Sequence, residues 1–162
     1  MPPEDNQLES LARERFPVPP LTAAELELLR AIQAGNLAVC GPNDDDKDPA
    51  NDPSKADADW KVDRTIRADL IRWLCVDRQV RELVGPQGIL AYGAKVTGPF
   101  DLSYAAVPFR LALRRCRFAG ETILRDLEIA QLDFQGSWLD SIAADGARVK
   151  GDVFLRDGFH AA

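Results

Sequence analysis

The sequence predicts an α+β protein, with a helical N-terminal segment over residues 1–85 capping a right-handed parallel β-helix over residues 86–162. Two observations carry this. Apolar residues recur at helical spacing before Gly85 and at every second position after Gly88. Beyond Gly88, the segments 94–100, 116–122, 132–138 and 147–153 also align without gaps. Each has a small or apolar residue, then Val or Phe two positions on, then Gly two beyond that. A period-two motif that recurs is the pattern of stacked β coils.

Each element follows from local chemistry. Leu8, Leu11 and Phe16 suit a short first helix, which Pro17, Pro19 and Pro20 end. Thr22 and Glu25 fit a capping box, followed by an apolar stripe of Ala24, Leu28, Leu29 and Ile32, with Gly35 as the stop. Residues 41–59 hold three prolines, seven aspartates and no aliphatic side chain larger than alanine. Such a segment reads as a disordered acidic loop. Its Asn43-Asp44-Asp45-Asp46-Lys47-Asp48 run hints at calcium but lacks the Gly and distal Glu of an EF-hand loop. A second helix is expected over about residues 63–75, with Ile66, Leu70, Trp73 and Leu74 on one face, and a shorter one after Asp77. Phe109, Leu111 and Leu113 then alternate with Arg110, Ala112 and Arg114, and the alternation slips at Arg115, which predicts a corner there. The motif glycines lie 22, 16 and 15 residues apart, which implies irregular coils.

Composition narrows the function. The net charge of −6 lies in residues 1–85, because residues 86–162 hold nine Lys/Arg and nine Asp/Glu. No apolar run is long enough to span a bilayer, and the acidic start Met1-Pro2-Pro3-Glu4-Asp5 does not resemble a signal peptide. A cytoplasmic protein with no membrane association is expected. Cys40, Cys75 and Cys116 are far apart in sequence, and with one histidine they make no zinc set, so buried free thiols are expected.

The segments 93–103 and 147–159 resemble the coils of pentapeptide-repeat-like β-helix proteins. With 66–75, Gly88-Ile89 and Gly93-Ala94, the chain is more closely similar to a bacterial group in which a short helical segment precedes such coils. The resemblance covers about residues 60–160. It implies a module that presents a surface and has no cofactor.

No catalytic constellation is visible. His160 lacks an orienting partner, and no P-loop, dinucleotide fingerprint or nucleophile elbow is present. A β-helix end with no further coil exposes apolar side chains and strand edges. Val153, Leu155 and Phe159 are therefore the candidate partner-binding residues, together with Arg110 and Arg114 from the densest basic group. The expected function is a non-enzymatic protein–protein interaction or scaffold module. Its partner is another protein or a second copy docked on the C-terminal coil, and nucleic acid is not expected. Two alternatives stand beside it. A DNA-mimicking inhibitor needs a continuous acidic face on the coils, and a carbohydrate-active β-helix enzyme needs an opposed carboxylate pair among Asp133, Asp140, Asp145, Asp152 and Asp157.

Overall fold

Asn6 starts the described chain as a helix cap, its side chain accepting from the Glu9 N–H. The structure, a computed structural model, describes residues 6–161. Residues 1–5 and Ala162, the outer ends of the two predicted regions, lie outside the described residues. Helix α1 (Gln7–Arg15) packs against helix α2 (Ala23–Ala34), tied by an ion pair of 3.1 Å between Glu9 and Arg30. The expected capping box opens α2: Thr22 Oγ1 accepts from Glu25 N at 3.1 Å, and Glu25 Oε1 accepts from Thr22 N at 2.9 Å. Gly35 closes it in the left-handed conformation, φ 75°.

After Gly88 the chain coils. Strands β3 (Ile89–Tyr92), β4 (Lys95–Thr97) and β5 (Phe100–Asp101) form one coil. Strands β6 (Ala106–Arg114), β7 (Arg117–Phe118) and β8 (Thr122–Ile123) form the next. Strands β9 (Glu128–Asp133), β10 (Trp138–Leu139) and β11 (Ile142–Ala143) form a third. Strands β12 (Arg148–Val149), β13 (Val153–Phe154) and β14 (His160–Ala161) lie on its far side. The pairings are parallel and build three sheets of six, five and three strands, a β-solenoid of about three turns.

Stacking makes the core. Ile89, Leu111, Leu132 and Val153 are successive cross-coil partners, as are Val96, Phe118 and Leu139. The Phe118 ring meets Phe100 at 5.7 Å and Phe134 at 5.3 Å between centroids, both within the range of favourable aromatic pairs. Val96, Phe118 and Phe134 are buried as the motif predicts, while Val149 is half-buried.

The coils turn at columns of left-handed residues. Gly93, Arg115, Gly136 and Gly158 occupy equivalent positions at one corner, with φ of 73°, 51°, 68° and 95°. Tyr104, Asp126 and Gly146 do the same at another, with φ of 63°, 53° and 72°. The corner expected at Arg115 is therefore present.

Several expectations need correction. Coil length is regular: Lys95, Arg117, Trp138 and His160 stand opposite one another at intervals of about 22 residues. Only the first two motif copies stack, Val96 on Phe118; Phe118 is followed by Leu139, not by Phe134 or Val149. The solenoid sheets also begin before residue 86. Strand β1 (Ala38–Val39) pairs with β3, and strand β2 (Thr65–Arg67) pairs with β4. The helix expected over residues 63–75 is thus divided into a 3-10 turn (Val62–Arg64), β2, and helix α4 (Ala68–Val76). The β-branched Thr65 and Ile66 find ladder partners in Lys95 and Val96, and this pairing overrides the helical spacing. Helix α5 (Arg78–Arg81) follows, capped by Asp77 as expected. Trp73 packs edge-on against Phe16 at 5.7 Å, on the N-terminal side, while Ile66 lies in the sheet.

Residues 41–59 are not a disordered loop. Two 3-10 turns (Pro49–Asn51 and Pro53–Lys55) and helix α3 (Ala56–Asp59) shape them into a strap on the coils. The buried Asn51 side chain donates to Asn43 O, Asn43 Oδ1 and Asp45 O and so ties the Asn43–Asp48 turn to the first 3-10 turn. Arg64 stacks on Trp60 at 3.8 Å and donates to Gly93 O and Ala50 O, clamping the strap to the first corner. The aspartates meet cations of the coils. Asp57 pairs with Lys95 and Arg117, each at 3.1 Å, and Asp46 accepts from the Tyr92 hydroxyl at 2.6 Å. Together with the buried Pro53 and Ala56, these contacts seat the strap on the coils.

Candidate partner-binding surface

The two ends of the solenoid are chemically different. At the N-terminal end β1, β2 and β5 are each paired on one side only, and three outward groups of β2 find partners outside the sheet. Thr65 N–H donates to Val62 O, Thr65 O accepts from the Thr22 hydroxyl, and Arg67 N–H donates to Glu25 Oε2 at 3.1 Å. Glu25 also accepts from Arg67 Nε at 2.7 Å and from Nη2 at 3.0 Å, with its side chain fully enclosed. One capping box therefore caps both a helix and the edge of a sheet. Arg72 from α4 donates to Asp101 O at 2.8 Å and holds that helix over β5.

At the other end, β12, β13 and β14 are each hydrogen-bonded on one side only, toward β9 and β10. Val153 and Leu155 continue the inward-facing apolar columns, yet they are 47% and 46% exposed because no described coil lies over them. Ile142 is exposed beside them, and Phe159 is half-buried against the core. Between Leu124, Leu132, Val149, Val153 and Leu155 an apolar recess of about 230 Å³ opens into the solenoid interior. The sequence singles out Val153, Leu155 and Phe159 at this end but not Ile142. Its strand alternation was visible, but its place in the end layer depends on the coil register.

Arg110 and Arg114 do not join this surface. They lie on the outward side of β6, two strands away from β13, whereas Val153 and Leu155 continue the inward columns. Nor do they form a free basic patch. Arg114 Nε pairs at 2.8 Å with Asp133, which is wholly buried and also accepts from Gln135. Arg110 donates to Gln87 O. Of their neighbours, Arg115 faces Asp46, and Arg117 bridges Asp57 and Asp140.

Other polar groups make local contacts. Asp145 lies beside Arg125 and Asp157 beside Arg156, while His160 stacks on Trp138 at 3.9 Å. Burial pushes the Cys75 and Cys116 thiols up to about 12, which suits inert core residues. The Arg117 guanidinium and the Lys95 ammonium hold the Asp57 carboxyl below its usual range. Among the described residues, no group of three or more His, Cys, Asp or Glu side chains is placed to hold a metal ion. No helix of the described residues is long and apolar enough to cross a membrane. Comparison of the chain with protein-family models, with curated proteins and with solved structures finds no match in any of the three.

Proposed function

We propose that the protein is a non-enzymatic interaction module, with the strap-clamped solenoid as a rigid support and the β12–β14 end as its docking surface. The observation that carries this reading is the exposure of Val153 and Leu155, which point along the core columns but lie open to solvent. Exposed apolar side chains around an open recess, bordered by strands unpaired on one edge, mark a contact site for protein. Recognition there combines strand-edge hydrogen bonds with apolar contact, and it involves no bond making or breaking.

Photocrosslinking in cells tests this. A photoreactive residue replaces Val153 in one variant and the remote, more exposed Val18 in a control. The reading expects a discrete protein adduct at position 153 that disappears when Leu155→Asp is added. Equal, diffuse labelling at both positions would refute it.

A further inference from the structure

We propose that the groove where the α1–α2 connection meets β2 binds a small apolar molecule carrying one amide group. None of its lining residues belongs to the β12–β14 end. The groove holds about 680 Å³, within the range of about 300–1,000 Å³ that takes small-molecule ligands. Pro19, Pro20, Val62 and Ala23, the first residue of α2, form its apolar walls. Val62 is 74% exposed, and Val18, beside the prolines, is 83% exposed. Large apolar side chains left this open around a concave surface mark a binding site.

Two charged side chains among the lining residues define the ligand's polar group. Arg67 is the donor. Its Nε and Nη2 are committed to Glu25, Pro19 O and Pro20 O, while Nη1 has no partner among the described residues. The committed bonds fix the guanidinium, so a ligand that accepts from Nη1 has no side chain to order there. Asp63, exposed in the 3-10 turn Val62–Arg64, is the acceptor. The enclosed Glu25 already neutralises Arg67, so Asp63 leaves the polar wall with a negative excess. That excess repels an anionic head, and an ammonium head leaves Nη1 unbonded. An amide is neutral, accepts through its oxygen and donates through its nitrogen. The backbone of the walls favours a small molecule over a peptide. An extended peptide docks through main-chain hydrogen bonds. Pro19 and Pro20 have no N–H, and their carbonyls are taken by Arg67. Thr65 N–H and O are engaged by Val62 O and the Thr22 hydroxyl.

NMR titration of the full chain with three probes of equal chain length, octanamide, octanoate and octylammonium, tests this. Octanamide should bind with a Kd below about 1 mM. It should shift the amides of Ala23, Thr65 and Thr97 and the Arg67 guanidinium N–H, and leave residues 148–161 in place. Octylammonium, which cannot accept from Nη1, should bind at least ~10-fold more weakly. Octanoate should be weaker by about 3–5-fold, and Asp63→Asn should restore most of that loss. Val62→Asp puts a charge on the exposed apolar wall and should weaken octanamide at least ~10-fold. Circular dichroism checks that both variants fold as the wild type does. No saturable shift at these residues, or octanamide binding undiminished in a folded Val62→Asp, would overturn the proposal. So would octanoate or octylammonium binding as tightly as octanamide, because the amide head would then not be recognised. Tighter binding of the peptide acetyl-Val-Leu-Val-amide would overturn it too and make the groove a peptide site.

Discussion

Glu25→Ala is the sharpest test of how the N-terminal end is closed. The carboxylate accepts four hydrogen bonds, from Thr22 N, Arg67 N, Arg67 Nε and Arg67 Nη2, with no exposed surface of its own. Truncation leaves the β2 edge N–H without an acceptor and the Arg67 guanidinium, itself only 17% exposed, without its counter-charge. Removing one partner of a buried ion pair costs roughly 3–5 kcal/mol. Arg67 keeps its bonds to Pro19 O and Pro20 O, which places the expected loss at the lower end, about 3 kcal/mol. Glu25→Gln preserves the shape and one acceptor while removing the charge, and should cost about half as much, roughly 1.5 kcal/mol. Urea unfolding followed by circular dichroism measures both. With a slope of about 2 kcal/mol/M, the midpoints should fall by roughly 1.5 M and 0.75 M. A loss below about 1 kcal/mol for Glu25→Ala, or equal losses for the two variants, would show that the box caps only the helix and that the sheet edge does not depend on it.

Other perturbations test the core, the strap and the N-terminal cap. Phe118→Ala removes a buried ring that touches two others and should cost about 3–5 kcal/mol in the same assay; a loss under about 1 kcal/mol would contradict the stacking register. The strap should loosen in acid. Asp57 has a folded-state pKa below its unfolded value, so its contribution is present above the ordinary carboxylate range and is lost as pH falls through the depressed value. The hydrogen-exchange protection of residues 43–60, relative to the intrinsic rate at each pH, should therefore fall in acid before that of the coil strands, and at a higher pH in Lys95→Ala, where Asp57 loses a counter-charge. Removing residues 1–85 deletes β1, β2 and both helices that cover the first coil, so residues 86–162 should fail to unfold cooperatively in urea; a sharp transition for that fragment would show that the coils need no cap.

Much of the fold was legible because its strongest signals are local. The Thr22–Glu25 box, the Gly35 stop, the switch to period two after Gly88 and the slip at Arg115 each depend on a few adjacent residues. Coil length was not legible, for a specific reason. Left-handed corner positions usually select glycine, but one column here reads Gly93, Arg115, Gly136, Gly158 and another reads Tyr104, Asp126, Gly146. Counting glycines therefore mixes corners. Gly98 and Gly120 share a corner, Gly136 belongs to that of Gly93 and Arg115, and Gly151 lies on a sheet between β12 and β13. The strap was illegible for a different reason. Its composition correctly denies it a core of its own, and its order comes from Arg64, Lys95 and Arg117, none adjacent to it in a way that a sequence window reveals.

The same limit explains which residues of the proposed docking surface could be read. Val153 and Leu155 stood out because they are apolar, alternate, and have no described coil after them, all of which are one-dimensional facts. Arg110 and Arg114 stood out by density alone, and density says nothing about the direction a strand presents. The fold places them outward, where Asp133 and Gln87 engage them, while the apolar columns run inward to the open end. The asymmetry between the ends is three-dimensional in origin. Thr22 and Glu25 are separated from Thr65 and Arg67 by some forty residues, and only their meeting closes one edge. Each of the three sheets has a terminal strand at either end of the solenoid, and at β2 it is side chains from about forty residues earlier that take up the outward groups, which no window of the sequence displays.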